Sequence, residues 1–173
     1  MTARHQSQTS QRSQRAIQER LRLLDARRAA LRQDGEDLVQ RFRVSYPDAP
    51  AYLTRYADGT YTSYRWRRSS ARHWRGKYPA GVNVTLDLTS EAGLALLRSL
   101  PVVVQSSWLD FERARIALNL ELALVAYERA RLRDYLTRVR ILNRIGRETG
   151  VELYAKCEFL NPISVKDRAV LRI

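Results

Sequence analysis

The sequence predicts a mainly α protein with a small β insertion, an α+β fold in which a β-hairpin or three-stranded sheet lies between two long antiparallel helices. Three observations predict it. Apolar residues recur every seven positions early in the chain, the same period returns in the second half, and an aromatic, threonine-rich stretch lies between the two. The long helices can pair within one chain or between two chains as a homodimer, and the pattern leaves both arrangements open.

The first long helix is predicted over residues 17–42. Its apolar seam repeats every seven residues and has a companion position four residues further on. The two sets are Ile17, Leu24, Leu31 and Leu38, and Leu21, Arg28, Gly35 and Phe42. Glycine costs about 1 kcal/mol inside a helix, so Asp34 and Gly35 mark an expected weak point or break. Pro47 and Pro50 forbid continuation of the helix beyond this region.

An aromatic β-hairpin is predicted next. Residues 51–57 and 60–67 are rich in aromatic and β-branched side chains and flank Asp58-Gly59, a dipeptide favoured in type I′ turns. With that turn, the alternation of side chains along a strand places an apolar set on one face. This set is Leu53, Tyr64 and Trp66. The opposite face is aromatic and basic and carries Tyr52, Tyr56, Tyr61, Arg65 and Arg67.

A third strand and two helices complete the prediction. Residues 82–88 alternate in polarity and can complete the small sheet that a hairpin needs for stability. A short helix is predicted over residues 89–100. The second long helix is predicted to begin at Ser107, in a sequence similar to a capping box, and to end at Ile145 before Gly146. Its seams are Phe111, Leu118, Val125, Leu132 and Val139, and Arg115, Leu122, Arg129, Leu136 and Asn143.

The charge balance favours a polyanionic partner. The 173 residues include 31 Lys and Arg against 18 Asp and Glu, a formal net charge of +13. The resulting positive field attracts nucleic acid first and an anionic membrane surface second. Solvated helix faces rich in arginine would give the same count, so charge alone does not choose between these interpretations.

Several kinds of site are excluded by composition. Cys157 is the only cysteine and His5 and His73 are the only histidines, so neither an intramolecular disulfide nor a structural zinc site is expected. P-loop, HExxH and GxSxG motifs do not occur, and His73 has no neighbouring partner for catalysis. Without the apolar core of a signal peptide or about eighteen consecutive apolar residues, the chain is expected to be cytoplasmic and to lack a membrane span.

The densest functional signal lies in and directly after the hairpin. No acidic residue occurs between Asp58 and Asp87, and arginines alternate there with aromatic residues. Guanidinium groups grip phosphates, aromatic rings stack on unpaired bases with about 1–3 kcal/mol per base, and a two-stranded ribbon fits a major groove. Alternatively, Trp66 and Trp74 fix the sheet on the helices while the arginines stay solvated. The predicted nucleic-acid-binding residues are Tyr52, Tyr56, Tyr61, Arg65, Arg67, Arg68, Arg72, Arg75 and Lys77.

A different signature occupies residues 143–173. The residues that carry it are Ala155, Lys156, Glu158, Asn161, Pro162, Ser164, Val165, Lys166, Asp167 and Arg168. In this order they resemble the N-terminal segment of the cysteine synthase and cystathionine β-synthase family. The resemblance implies that Lys166 is the counterpart of the lysine that holds pyridoxal phosphate as a Schiff base. Where that family has two glycines before the serine, this chain has only Ile163.

Three segments are therefore predicted: a disordered basic tail over residues 1–16, a helix–β-hairpin–helix domain over residues 17–145, and a truncated cysteine-synthase-like segment over residues 146–173. The expected function is that of a nucleic-acid-binding accessory protein of a mobile element or plasmid, fused to an inactive synthase fragment without a cofactor. Two alternatives stay open. One is a truncated or split pyridoxal-phosphate synthase that uses Lys166, and the other is a structural coiled-coil adaptor.

Overall fold

The computed structural model describes residues 2–59, 61–69, 71, 74 and 85–150. Its elements in chain order are α1 (Thr2–Ser45), β1 (Ala51–Asp58), β2 (Tyr61–Arg68), β3 (Thr85–Leu86), α2 (Glu91–Arg98) and α3 (Val102–Thr149). The mainly α fold with a small antiparallel sheet between two long helices is confirmed. The chain divides into two compact units, Leu24–Arg129, called the hairpin unit, and Met1–Leu23 with Ala130–Ile173, called the terminal unit.

Within the hairpin unit, α1 and α3 run antiparallel. Phe42 near the end of α1 packs on Trp108 and Phe111 near the start of α3, with both pairs of ring centroids 5.2 Å apart. Asp25, earlier in α1, forms an ion pair with Arg129, later in α3. The helices of this unit therefore pair within one chain. The buried seam residues are Leu24, Leu31, Leu38 and Phe42 of α1 and Leu118, Leu122 and Val125 of α3.

The first helix is longer than predicted and is not broken at Gly35. It begins at Thr2, where the sequence predicts a disordered tail, and no glycine or proline occurs before Gly35 to stop it. The predicted break at Asp34 and Gly35 is wrong because the glycine has a packing role. A Cβ atom on Gly35 would lie only 2.1 Å from Cζ of Tyr64, so the missing side chain makes room for the tyrosine ring.

The hairpin turn lies one residue later than predicted. Asp58 pairs with Tyr61, and Gly59 takes a φ of 51°, a left-handed conformation that glycine adopts without steric cost. Moving the turn by one residue shifts the strand pairing by two positions, so every side chain stays on its predicted face. The predicted apolar face is confirmed: Leu53, Tyr64 and Trp66 are each no more than 1% exposed.

The third strand and the short helix are both shorter than predicted. β3 pairs antiparallel with β2 and gives the sheet the order β1-β2-β3, while residues 82–84 of the predicted strand lie outside the described residues. α2 lies inside the predicted range 89–100. Its N-cap is Ser90, whose hydroxyl accepts a hydrogen bond of 3.2 Å from the backbone N–H of Gly93.

The last helix begins earlier and ends later than predicted. It starts at Val102, directly after Pro101, rather than at Ser107, because proline is tolerated at the edge of a first helical turn. At the other end Gly146 is buried inside the helix. The helix ends instead at Thr149, and Gly150 after it takes a φ of 68°, the left-handed conformation of many residues that follow a helix.

Candidate nucleic-acid interface

An aromatic core fixes the hairpin to both long helices. Its members are Phe42, Tyr46, Trp66, Trp108 and Phe111. The rings of Trp66 and Trp108 stack at 5.1 Å with an interplanar angle of 13°, and Phe42 meets Trp66 edge to face at 4.9 Å. Such aromatic pairs contribute about 0.5–1.5 kcal/mol beyond the area they bury. Strand β2 is therefore held by packing from α1 and α3 together.

A buried carboxylate adds a polar link between β2 and α3. The indole Nε1 of Trp66 donates a hydrogen bond of 2.7 Å to Glu112, which is 5% exposed. Arg115 donates to both oxygens of the same carboxylate, at 2.6 and 2.7 Å, and its Nη1 donates to the carbonyl of Tyr64 at 3.2 Å. A buried charge is tolerated only with partners of this kind. The network orients β2 on the surface of α3.

Both the backbone and the side chain of Tyr64 are held. Its N–H donates to Oδ1 of Asn119 at 2.8 Å, and Nδ2 of Asn119 donates back to its carbonyl at 2.9 Å. Its hydroxyl donates to the carbonyl of Arg32 at 2.9 Å and lies 3.5 Å from Oε1 of Glu36. Burial and the negative charge of Glu36 raise the pKa of Tyr64 from 10.0 to about 12. Tyr64 is thus a neutral donor that fixes β2 on α1.

The opposite face of the hairpin carries five of the nine predicted binding residues and is here called the outer face. Tyr56 and Tyr61 are 40% and 44% exposed, and three further side chains are half-buried. These three are Tyr52, Arg65 and Arg67. The guanidinium carbon of Arg65 lies 3.8 Å from the ring centroid of Tyr56, a cation–π contact. Tyr52 pairs with Arg67 across the strands, so a second aromatic ring of this face also has a cation as its neighbour.

Of the four remaining predicted residues, only one lies in the described part of the chain. Arg68 pairs with Ala51 and, by strand alternation, shares the packed face of Trp66, where it is only 9% exposed. The other three, Arg72, Arg75 and Lys77, lie outside the described residues. Trp74 donates from Nε1 to the carbonyl of Asp48 at 3.1 Å, and Trp66 is buried. Both tryptophans therefore contact the body of the protein, as the alternative interpretation of these two residues predicts.

Sequence reasoning missed the α3 residues that position the hairpin. Glu112, Arg115 and Asn119 contact β2 directly. Arg115 itself could have indicated these contacts, because a charged residue in an apolar seam requires a partner for its charge. Arg129 gives the same signal in the same seam, and it pairs with Asp25. A charged seam position thus indicated both ion pairs, although not the identity of either partner.

Lys166 and the synthase-like residues beyond Gly150 lie outside the described residues. In the described part of the chain, no three side chains of the metal-ligating types come together as a metal site. Across the same described residues, none of the helices combines the length and the apolar character that crossing a membrane requires. Comparison of the whole chain with protein-family models, with curated proteins and with solved structures gives no match.

Proposed function

We propose that this chain is a nucleic-acid-binding accessory protein and that the outer face of its hairpin is the binding surface. The observation that carries the proposal is the contact of Arg65 with Tyr56 on the face of the hairpin opposite to Tyr64 and Trp66. A guanidinium group that already lies on an aromatic ring offers a phosphate ligand and a stacking platform side by side.

The packing of the other hairpin face favours this use. Trp66 and Tyr64 hold β2 on two helices through stacking and hydrogen bonds, so the outer face rests on a rigid support. A binding surface built on a rigid element loses little conformational entropy when a ligand binds. The hairpin can therefore present its tyrosines and arginines in a fixed arrangement.

The net charge of +13 favours polyanions, and the exposed tyrosines favour those with unpaired bases. Tyr56 and Tyr61 each expose about two-fifths of their surface, so their rings are accessible to a base. A duplex hides its base faces in the stack, whereas a single strand exposes them. We therefore expect single-stranded nucleic acid to bind more tightly than a duplex of the same length.

The proposal is tested by fluorescence anisotropy of labelled single-stranded and duplex oligonucleotides over a series of salt concentrations. In the double variant Arg65→Gln/Arg67→Gln, we expect weaker binding and a shallower salt dependence, by about 0.7 in slope for each phosphate of a single strand that is no longer neutralised. The matched control is Arg41→Gln/Arg43→Gln, which removes two exposed arginines from α1. Equal reductions of affinity in the two variants would show that net charge, and not the outer face, drives binding.

Stacking is tested separately with Tyr56→Leu/Tyr61→Leu, which leaves the charge unchanged. Loss of stacking is expected to weaken single-strand binding by about 5- to 100-fold for each base that is no longer stacked. The salt dependence should stay as in the unmodified protein, because no cation is removed. Unchanged single-strand affinity in this variant would contradict the role of the tyrosines.

A further inference from the structure

Helix α3 has a second apolar face, on the side away from its buried seam. Its large side chains are 48–61% exposed and form what we call the α3 stripe: Leu109, Ile116, Leu120, Leu124 and Tyr127. At 100° per residue, these positions lie on the side of the helix opposite to the buried seam of Leu118, Leu122 and Val125. The stripe is about 27 Å long, since each helical residue adds about 1.5 Å.

The charge of this part of α3 differs from that of the rest of the chain. From Ile116 to Tyr127 there is no lysine or arginine, although the whole chain carries a net charge of +13. Glu121 is the one acidic residue in this segment, and it forms an ion pair with Arg27 of α1. Most of the surface of this basic protein would repel a second copy of the chain, but the α3 stripe would not.

We propose that the stripe binds a second copy of this chain, with α3 packed antiparallel on α3 around a two-fold axis at Leu120. Ile116, Leu120 and Leu124 form a ridge at four-residue spacing, and two such ridges pack into each other's grooves when the helices cross at about 50°, close to Leu120. The axis at Leu120 brings Ile116 of each copy against Leu124 of the other.

The size of the stripe fits this occupant. Its five side chains are each about half exposed or more, and a standard interface buries about 800 Å² on each partner. Flanking side chains such as Ala117, Ala123 and Arg113 supply the remainder as a rim. A two-fold interface uses the same patch on both copies, so one self-complementary stripe is sufficient.

The proposal is tested by sedimentation velocity and light scattering on the full chain. We expect a mass twice the 20.1 kDa of one chain at micromolar concentration. Leu120→Glu brings two carboxylates together at the axis and should weaken association by at least about 100-fold. The matched control is Leu23→Glu, at a leucine of α1 that is 55% exposed and lies outside the stripe. Circular dichroism checks that both variants fold.

A cysteine variant tests the geometry independently. In Cys157→Ser/Leu120→Cys, oxidation should link two chains, because a residue on the two-fold axis meets its own copy within disulfide distance. Cys157→Ser/Leu23→Cys should stay unlinked. A monomeric parent protein at about 100 µM would overturn the proposal. If Leu120→Glu also lowered the stability of that monomer, the stripe would instead be covered by residues 151–173 of the same chain.

The α3 stripe and the outer face share no residue, so the dimer does not depend on the proposed function. Leu120→Glu leaves Arg65, Arg67 and the tyrosines of the outer face in place. A monomer that still binds single-stranded nucleic acid would support the dimer interface and the outer face as separate surfaces. A dimer without affinity for nucleic acid would overturn the proposed function alone.

Discussion

The two faces of the hairpin use the same types of residue for different purposes. Tyr64 is fully buried, and its hydroxyl and backbone bond to both long helices, whereas Tyr56 is 40% exposed and contacts Arg65. Arginine divides in the same way, because Arg68 is buried on the packed face and Arg65 lies on the outer face. Position along the strand, and not residue type, decides which side chains stabilise the fold and which can contact a partner.

The largest difference between the faces is expected for removal of an aromatic ring. Trp66→Ala should lower the free energy of unfolding by about 3–5 kcal/mol, because it removes a buried ring that stacks on Trp108 and bonds to Glu112. Tyr56→Ala on the outer face should cost less than about 1 kcal/mol. Urea denaturation followed by circular dichroism measures both.

The effects of these two substitutions on affinity for single-stranded nucleic acid should have the opposite order to their effects on stability. The affinities are measured under conditions in which both variants are folded. Tyr56→Ala should weaken single-strand binding, whereas folded Trp66→Ala should keep the outer face. If both substitutions changed stability equally, the separation into a packed face and an outer face would be wrong.

The contact between Gly35 and Tyr64 gives a sharper test of the packed face. Glycine to alanine inside a helix normally stabilises by about 1 kcal/mol. Here the added Cβ would lie 2.1 Å from the tyrosine ring, so Gly35→Ala should destabilise by about 1–3 kcal/mol instead. In a Tyr64→Leu background, which removes the ring, the same change should cost much less. Equal costs in both backgrounds would show that ring and glycine do not interact.

The features with a strong local period could be predicted from the sequence. Seven-residue spacing identified the buried seams of the hairpin unit, and strand alternation identified the packed face even though the turn was placed one residue too early. Alternation also indicated that Arg68 and Arg67 lie on opposite faces of the hairpin, because neighbouring residues of a strand point to opposite faces. The role of Gly35 was not predictable, since the ring that requires it comes from residue 64, and helix preference alone indicates a break.

Errors at helix ends have a related cause. Two glycines, Gly146 and Gly150, compete to end α3, and only the folded backbone shows that the second takes the left-handed conformation. The α3 stripe has its own helical spacing, and a search for one apolar seam on each helix does not reveal a second. On the outer face, the contact of Tyr56 with Arg65 could be predicted only from the strand register, which depends on the exact position of the turn.

The smallest expected effect is a pH dependence that belongs to the packed face alone. The pKa of Tyr64 rises to about 12 in the folded protein, because burial and Glu36 disfavour the phenolate, whereas the unfolded chain ionises near the ordinary value of 10.0. Between these values the unfolded state holds fewer protons than the folded state, so stability falls as pH rises from about 10 to 12. At neutral pH, Tyr64→Phe should cost about 1 kcal/mol for the lost hydrogen bond to Arg32.

The difference in the free energy of unfolding between the parent protein and Tyr64→Phe should therefore shrink above pH 10. Tyr56→Phe on the outer face serves as the control. Urea denaturation of the three proteins at a series of pH values measures this difference, and absorbance at 295 nm follows ionisation of the phenols. The difference in stability between the parent protein and Tyr64→Phe could instead stay constant from pH 9 to 11.5. This result would mean that the hydroxyl of Tyr64 does not keep its proton through contact with α1. Since the packed face rests on that contact, such a result would also weaken the view that the outer face is held rigidly for binding.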